Sequence, residues 1–192
     1  MKKILIFAML FTLPLMASDS MVSLNLNSTD LELNYEHTRP LQGNSRSFMG
    51  AEFLSGDDEF DKSQYMLSGY IYAMGLTPVP GLGAMIGFKG SATRVRVGGS
   101  NENIVAVPVH VGVNYTLPIV LRTHIQATVG FAPKALTFGE ADKYEEYRFK
   151  AVMEPMDGGM VYVGWRSLQF DMGASSNYKF NESAFVGIGM VF

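Results

Sequence analysis

The sequence predicts an all-β fold: an antiparallel, up-and-down transmembrane barrel that follows a cleaved export signal. Three observations carry this. Apolar residues recur at every second position in segment after segment. After the first 17 residues no segment has helical periodicity, and none is apolar for the ~20 residues a membrane-spanning helix needs. The chain ends on such an alternation, with Ala184, Val186, Ile188, Met190 and Phe192 in one phase and Phe185, Gly187, Gly189 and Val191 in the other. Side chains alternate faces along a strand, so the last nine residues have one greasy face and one that is mostly small.

Residues 1–17 read as a secretory signal. Lys2 and Lys3 precede the apolar run Ile4 to Met16, and Ala17 is placed for cleavage. Residues 18–192 then form one domain, as expected for a chain of 192 residues. Hydrophobic content of 47% is ordinary for a globular protein, but a barrel needs only alternate residues to be apolar. The absence of Cys excludes disulfides, thiolate metal sites and a lipid-modified N-terminal Cys. Without Lys2 and Lys3 the chain keeps 13 basic residues against 18 acidic, a net charge of −5, which argues against a nucleic-acid partner.

Taken in order, Leu31, Leu33 and Tyr35 oppose Glu32, Asn34 and Glu36. Met49, Ala51 and Phe53 oppose Gly50 and Glu52. Tyr65 to Met74 is apolar in both phases, so its inner face stays unassigned. Ala84, Ile86 and Phe88 oppose Met85, Gly87 and Lys89. The clearest segment sets Val105, Val107, Val109, Val111, Val113 and Tyr115 against Ile104, Ala106, Pro108, His110, Gly112 and Asn114. Leu121 to Phe131 places Arg122, His124, Gln126, Thr128 and Gly130 on its polar face. Tyr147 to Met153 opposes Glu146, Arg148, Lys150 and Val152. Val161, Val163 and Trp165 oppose Tyr162, Gly164 and Arg166, after which the apolar phase changes at Leu168 and Phe170, as a bulge or the end of the membrane band would explain. With the ending these make nine strands. An even number is needed when both ends lie in the periplasm, and Met21 to Asn27 supplies the tenth. Ten strands are favoured over eight, with a turn at Asn27 to Asp30 and the last strand closing onto the first.

Short Pro- or Gly-bearing pieces at 77–81, 116–118 and 154–158 suit periplasmic turns. Longer polar pieces at 55–63, 91–103, 134–143 and 173–183 are expected outside the cell. A soluble β-sandwich also alternates. Export, the aromatic ending, unbroken apolar faces and aromatics such as Tyr35, Tyr115, Phe131, Tyr147 and Trp165 at interface positions favour lipid. There every backbone polar group must be paired, and closure removes the sheet edges.

The chain resembles the YfaZ family of Gram-negative outer-membrane proteins over essentially the whole mature sequence. The resemblance rests on residues 29–34 (TDLELN), 86–89 (IGFK), 105–109 (VAVPV), 131–133 (FAP), Glu154-Pro155, 163–166 (VGWR) and the ending 186–192. It implies a porin-like barrel in the outer membrane, with Phe192, Met190 and Ile188 as a signal to the outer-membrane assembly machinery. It implies no reaction and no catalytic residues. The 173–183 loop lacks the family's Asp- and Gly-rich character.

The inner faces carry Glu32, Glu36, Glu52 and Glu146 with Lys89, Arg122, Arg148, Lys150 and Arg166. A single sign would suggest an ion-selective lumen. The mixture suggests paired charges filling a narrow interior, or a narrow pore. His110, His124 and Gln126 complete the polar lining, with the two His as filler rather than a metal or proton-sensing pair. No cofactor or metal site is expected. Pro108 inside a strand removes a ladder hydrogen bond and calls for a bulge or a local opening of the wall. Loop acids Asp57, Asp58, Glu59, Asp61, Glu140, Asp142 and Asp171 lack a His partner for rim catalysis. Arg94 and Arg96 could meet lipopolysaccharide phosphates. The expected function is a structural or narrow porin-like one. The alternatives are a lipid- or peptide-processing enzyme at the rim and an adhesion protein acting through its loops. The expected partners are membrane lipids, lipopolysaccharide and the assembly machinery, around a monomer.

Overall fold

A computed structural model describes residues 19–57, 63–97, 100–119, 122–173 and 177–192. The export signal, Asp58, Glu59, Asp61 and Leu121 lie outside the described residues, and the side chains of Asp57 and Arg96 are likewise not described.

Twelve strands follow in chain order: β1 (Ser20–Leu26), β2 (Leu31–Pro40), β3 (Arg46–Asp57), β4 (Ser63–Leu76), β5 (Leu82–Val97), β6 (Ser100–Ala106), β7 (Val109–Thr116), β8 (Arg122–Ala132), β9 (Thr137–Gly139), β10 (Lys143–Met156), β11 (Gly159–Asp171) and β12 (Asn177–Val191). Every pairing is antiparallel, and the chain's two end strands meet: β1 pairs with β12, Met21 opposite Val191 through Leu26 opposite Val186. That pairing closes the barrel. Ser20 and Phe192 extend it with reciprocal backbone hydrogen bonds of 3.1 and 2.9 Å. The closed wall has ten strands, so the eight-strand alternative falls.

The tenfold count holds because β9 continues the stave of β8 and because β6 and β7 form one stave. Both pair with β5 in the same register, on either side of Val107 and Pro108. Lys89 N–H donates to the Pro108 carbonyl at 3.1 Å, and proline has no N–H to return the bond. On the other side β8 leaves the ladder at Pro133, makes one 3₁₀ turn over Lys134–Leu136, and returns as β9 beside β6. Val107 N–H reaches the Leu136 carbonyl at 2.8 Å across this detour. The wall at Pro108 is therefore bridged, and the strand irregularity is absorbed by the neighbour.

The alternation sorts as expected. Ile86, Val111, Val163, Ile188 and Met190 are exposed on the outer wall, with Tyr35, Tyr115, Phe131, Tyr147 and Trp165. An outward band of apolar side chains on a closed sheet is the surface a bilayer covers. The unassigned segment resolves: Tyr65, Leu67 and Ile71 face out, and Met66, Ser68 and Tyr70 are buried inside. Two expectations are corrected. Residues 91–103 and 173–183 are not mainly loop, since β5 runs to Val97, β6 starts at Ser100 and β12 starts at Asn177. Leu168 and Phe170 keep the inward phase of Arg166, and β11 pairs with β10 without a shift from Val161 to Asp171, the one irregularity of that ladder lying between Met153 and Met156. The bulge lies in β12, where Leu168 pairs with Asn181 and Gln169 with Lys179.

Inward apolar side chains cluster at the end of the barrel away from both termini. Leu54, Met66, Val95, Ile104, Ala106, Ala132, Tyr144, Leu168, Phe170 and Phe180 pack together there. This plug is the protein's main apolar core. Elsewhere the inner wall is lined by aromatics laid over glycines. A Cβ on Gly50 would meet the Tyr70 ring, one on Gly87 the Tyr72 ring, one on Gly164 the Phe185 ring and one on Gly187 the Tyr162 ring. The small inner face of the last strand thus seats a tyrosine flat against the wall.

Candidate functional site

Directly beneath the plug lies a layer of ion pairs. Lys89 Nζ donates to Glu52 at 2.8 Å and to Glu146 at 3.0 Å. Arg148 spans three carboxylates, Glu32 at 3.0 Å and Glu52 and Glu146 at 3.1 Å each. Arg166 pairs with Glu32 and lies 3.6 Å from Asp30. Its Nε donates to Asn181 Oδ1 at 2.8 Å. Asn25 donates to Glu32 at 2.7 Å, and the Tyr144 hydroxyl reaches down from the plug to Glu146, also at 2.7 Å. Glu32, Glu52, Lys89, Glu146, Arg148 and Arg166 come from five strands, β2, β3, β5, β10 and β11, so the layer ties opposite sides of the barrel together. Lys89 and Arg166 are each about 1% exposed.

Such burial is tolerable only because every charge has partners. Removing one member of a buried pair typically costs about 3–5 kcal/mol, since the other is left bare. Asp30 anchors the edge of the layer from the β1–β2 turn. It accepts hydrogen bonds from Asn27, Asn181 and Ser183. Burial works to raise its carboxyl, but these bonds and the Arg166 charge outweigh it and hold it below the usual carboxylate range.

His110 borders the layer. Its ring lies over Gly130, where a Cβ would collide, and its Nε2 is 3.6 Å from Glu146 with no hydrogen bond. Glu146 stands beside Gly130 on the next strand, so a glycine sets this approach. His124 lies far down β8, opposite Thr116 and Val152, and does not meet His110. Among the described residues no group of three or more His, Asp or Glu could hold a metal.

Below the layer the lumen opens into a cup of about 360 Å³. Its floor is Glu52, Lys89, Glu146 and Arg148, and its mouth, at the end carrying both termini, has Asp19, Arg46, Glu154 and Val191. Its walls include Glu36, Tyr70, Tyr72, Gln126, Lys150 and Tyr162. Tyr70 and Tyr72 stack at 4.8 Å, and the Tyr70 hydroxyl lies 2.9 Å from Glu36 and 3.0 Å from Asn34.

The expected interior charges therefore divide. Glu32, Glu52, Lys89, Glu146, Arg148 and Arg166 meet in the layer. Glu36 and Lys150 face the cup with His124 and Gln126. Arg122 is a correction: it begins β8 at the rim, its side chain 76% exposed, 3.5 Å from Glu154 and 3.8 Å from Asp157. Asp30, Asn25, Tyr144 and Asn181 were not anticipated. Tyr144 was accessible to the period-two rule, because it precedes Glu146 by two and shares its face. Asp30 and Asn181 were not, because one sits in a turn and the other beside the bulge. Phe192, Met190 and Ile188 lie on the closing seam, with Met190 and Ile188 pointing outward.

The model of one protein family, described as "YfaZ precursor", matches residues 1–192. The chain belongs to the YfaZ family. No curated protein matches it. Among solved structures, the barrel is similar to the outer membrane channel DcaP of Acinetobacter baumannii, with TM-score 0.43, 12% identity and 90% of this chain covered. The family member spans 62% of the DcaP chain's length. It is also similar to the NanC porin, with TM-score 0.44, 13% identity, 91% of this chain and 98% of that one.

Proposed function

We propose that this protein is an integral barrel of the Gram-negative outer membrane, with a porin-like frame whose lumen is shut at rest and whose role is structural. The observation that carries the reading is the ion-pair layer sealed beneath the apolar plug. An ion crossing the barrel would have to part Lys89 from two carboxylates and then traverse packed apolar side chains such as Leu168 and Phe170. The outward apolar wall supports placement in lipid, and the family's precursor description agrees with export. The exposed Arg94 at the loop end suits contact with lipopolysaccharide phosphates, and the seam ending in Phe192 suits recognition by the assembly machinery. Rim catalysis finds less support: Asp142 pairs with Lys134, and Asp171 accepts the Gly173 N–H at 3.0 Å. Planar-bilayer recording tests the reading. Purified protein inserted in the membrane is expected to stay silent across voltage, and steady ohmic current would overturn it.

A further inference from the structure

Between the ion-pair layer and the mouth, where Asp19, Arg46 and Glu154 stand, the cup wall carries two further charges that the layer does not use. Lys150 extends from β10 with its ammonium 5.6 Å from the centroid of the Tyr162 ring. Among the described residues no carboxylate comes within ion-pair distance of it. Glu36 extends from β2 and is approached by the Tyr70 hydroxyl, again with no cation within ion-pair distance among the described residues. On the shorter way round the wall β2 and β10 are separated by β1, β12 and β11, so the two side chains face each other across the lumen. Both stand on the cup side of the layer, Lys150 two residues beyond Arg148 and Glu36 four beyond Glu32. Nearby, Asn114 Oδ1 and His110 Nε2 are buried without a hydrogen-bond partner and also line the cup.

We propose that this cup is a binding site for a small zwitterion, a solute bearing one carboxylate and one ammonium. The carboxylate meets Lys150 Nζ and the ammonium meets Glu36. Opposite unpaired charges across a gap complement a dipolar solute. A plain anion would leave Glu36 facing it, and a plain cation would leave Lys150. The tyrosine rings seated on Gly50, Gly87 and Gly187 supply flat faces that attract an ammonium and exclude water. A volume of about 360 Å³ is near the lower end of the ~300–1,000 Å³ of small-molecule pockets, which limits the ligand to a small one. Entry is from the end that carries the termini.

The inference does not require the layer to be shut. Bilayer recording tests the layer, and calorimetry in detergent micelles tests the cup, so the two can fail separately. The full folded chain is titrated with glycine, L-leucine and γ-aminobutyrate, and with acetate and methylammonium as single-charge controls. At least one zwitterion is expected to bind tenfold or more tighter than either control. Lys150→Gln and Glu36→Gln are each expected to weaken that binding at least tenfold, while Lys150→Arg keeps it within a few-fold. Heat-modifiable gel migration reports whether each variant is folded. Absence of binding by all three zwitterions, acetate binding equally well, or binding that survives both Gln substitutions would overturn the proposal.

Discussion

The two halves of the barrel interior solve the same problem differently. The half with the long hairpins is filled, with an apolar plug resting on ion pairs that leave no charge alone. In the half with the termini, tyrosines lie against the wall on glycines, a cavity remains, and Glu36 and Lys150 have no ion-pair partner within reach among the described residues. Both halves belong to the same ten staves, so strand number alone does not decide whether a lumen is open. Side-chain volume and the placement of glycine decide it. A ring laid over a glycine leaves space beside it, whereas Phe170 meets Tyr144 and Phe180 edge to face among the other buried apolar side chains of the plug.

The largest effect that tests this contrast is Lys89→Met. It leaves Glu52 and Glu146 to share Arg148 with Glu32, three buried carboxylates on one guanidinium, and a loss of about 3–5 kcal/mol is expected in denaturant unfolding from micelles. Lys150→Met in the cup breaks no ion pair within hydrogen-bond reach among the described residues and removes only the longer-range attraction to Glu36, so its cost should fall clearly below that of Lys89→Met. Equal losses would erase the distinction between the halves. Leu168→Ala should cost about 2–5 kcal/mol by opening a cavity in the plug. Met74→Ala, against the open cup, should fall well below that.

A smaller effect tests the glycine seats. Gly187→Ala should destabilise by about 1–3 kcal/mol through overpacking against Tyr162. Tyr162→Ala in the same chain should recover part of that loss, and additivity in the double-mutant cycle would contradict the seat. The smallest concerns Asp30. Its carboxyl is held low in the folded barrel, so its contribution is present above the ordinary Asp value of about 3.9 and lost as pH falls through the folded one. Acid titration of stability should show a shallower decline in Asp30→Asn than in wild type.

Much of the wall was legible in the sequence, because lipid on one side imposes strict alternation. Val105 to Tyr115 and Ala184 to Phe192 declare their faces without a structure. Tyr65 to Met74 did not, because the inside of its stave is apolar too: Met66 enters the plug and Tyr70 lies over Gly50. The same cause produced the apparent phase change after Arg166, where Leu168 and Phe170 continue inward into apolar surroundings. The interior charges were visible as a set, but alternation is blind to height along the barrel. It could not separate the paired Lys89 from the unpaired Lys150, nor place Arg122 at the rim. Asp30 and Asn181 joined the layer through a turn and a bulge, where period two no longer applies.

The central claim is that one half of the interior is sealed and the other is accessible. The natural chain has no Cys, so single thiols can report on each half. Thr128→Cys places a thiol in the cup, and Ala132→Cys places one in the plug two inward positions further along β8. With a small water-soluble thiosulfonate reagent on folded protein in micelles, the account predicts rapid labelling at position 128 and none at 132 until the barrel is unfolded. Comparable labelling of both in the folded state would contradict it.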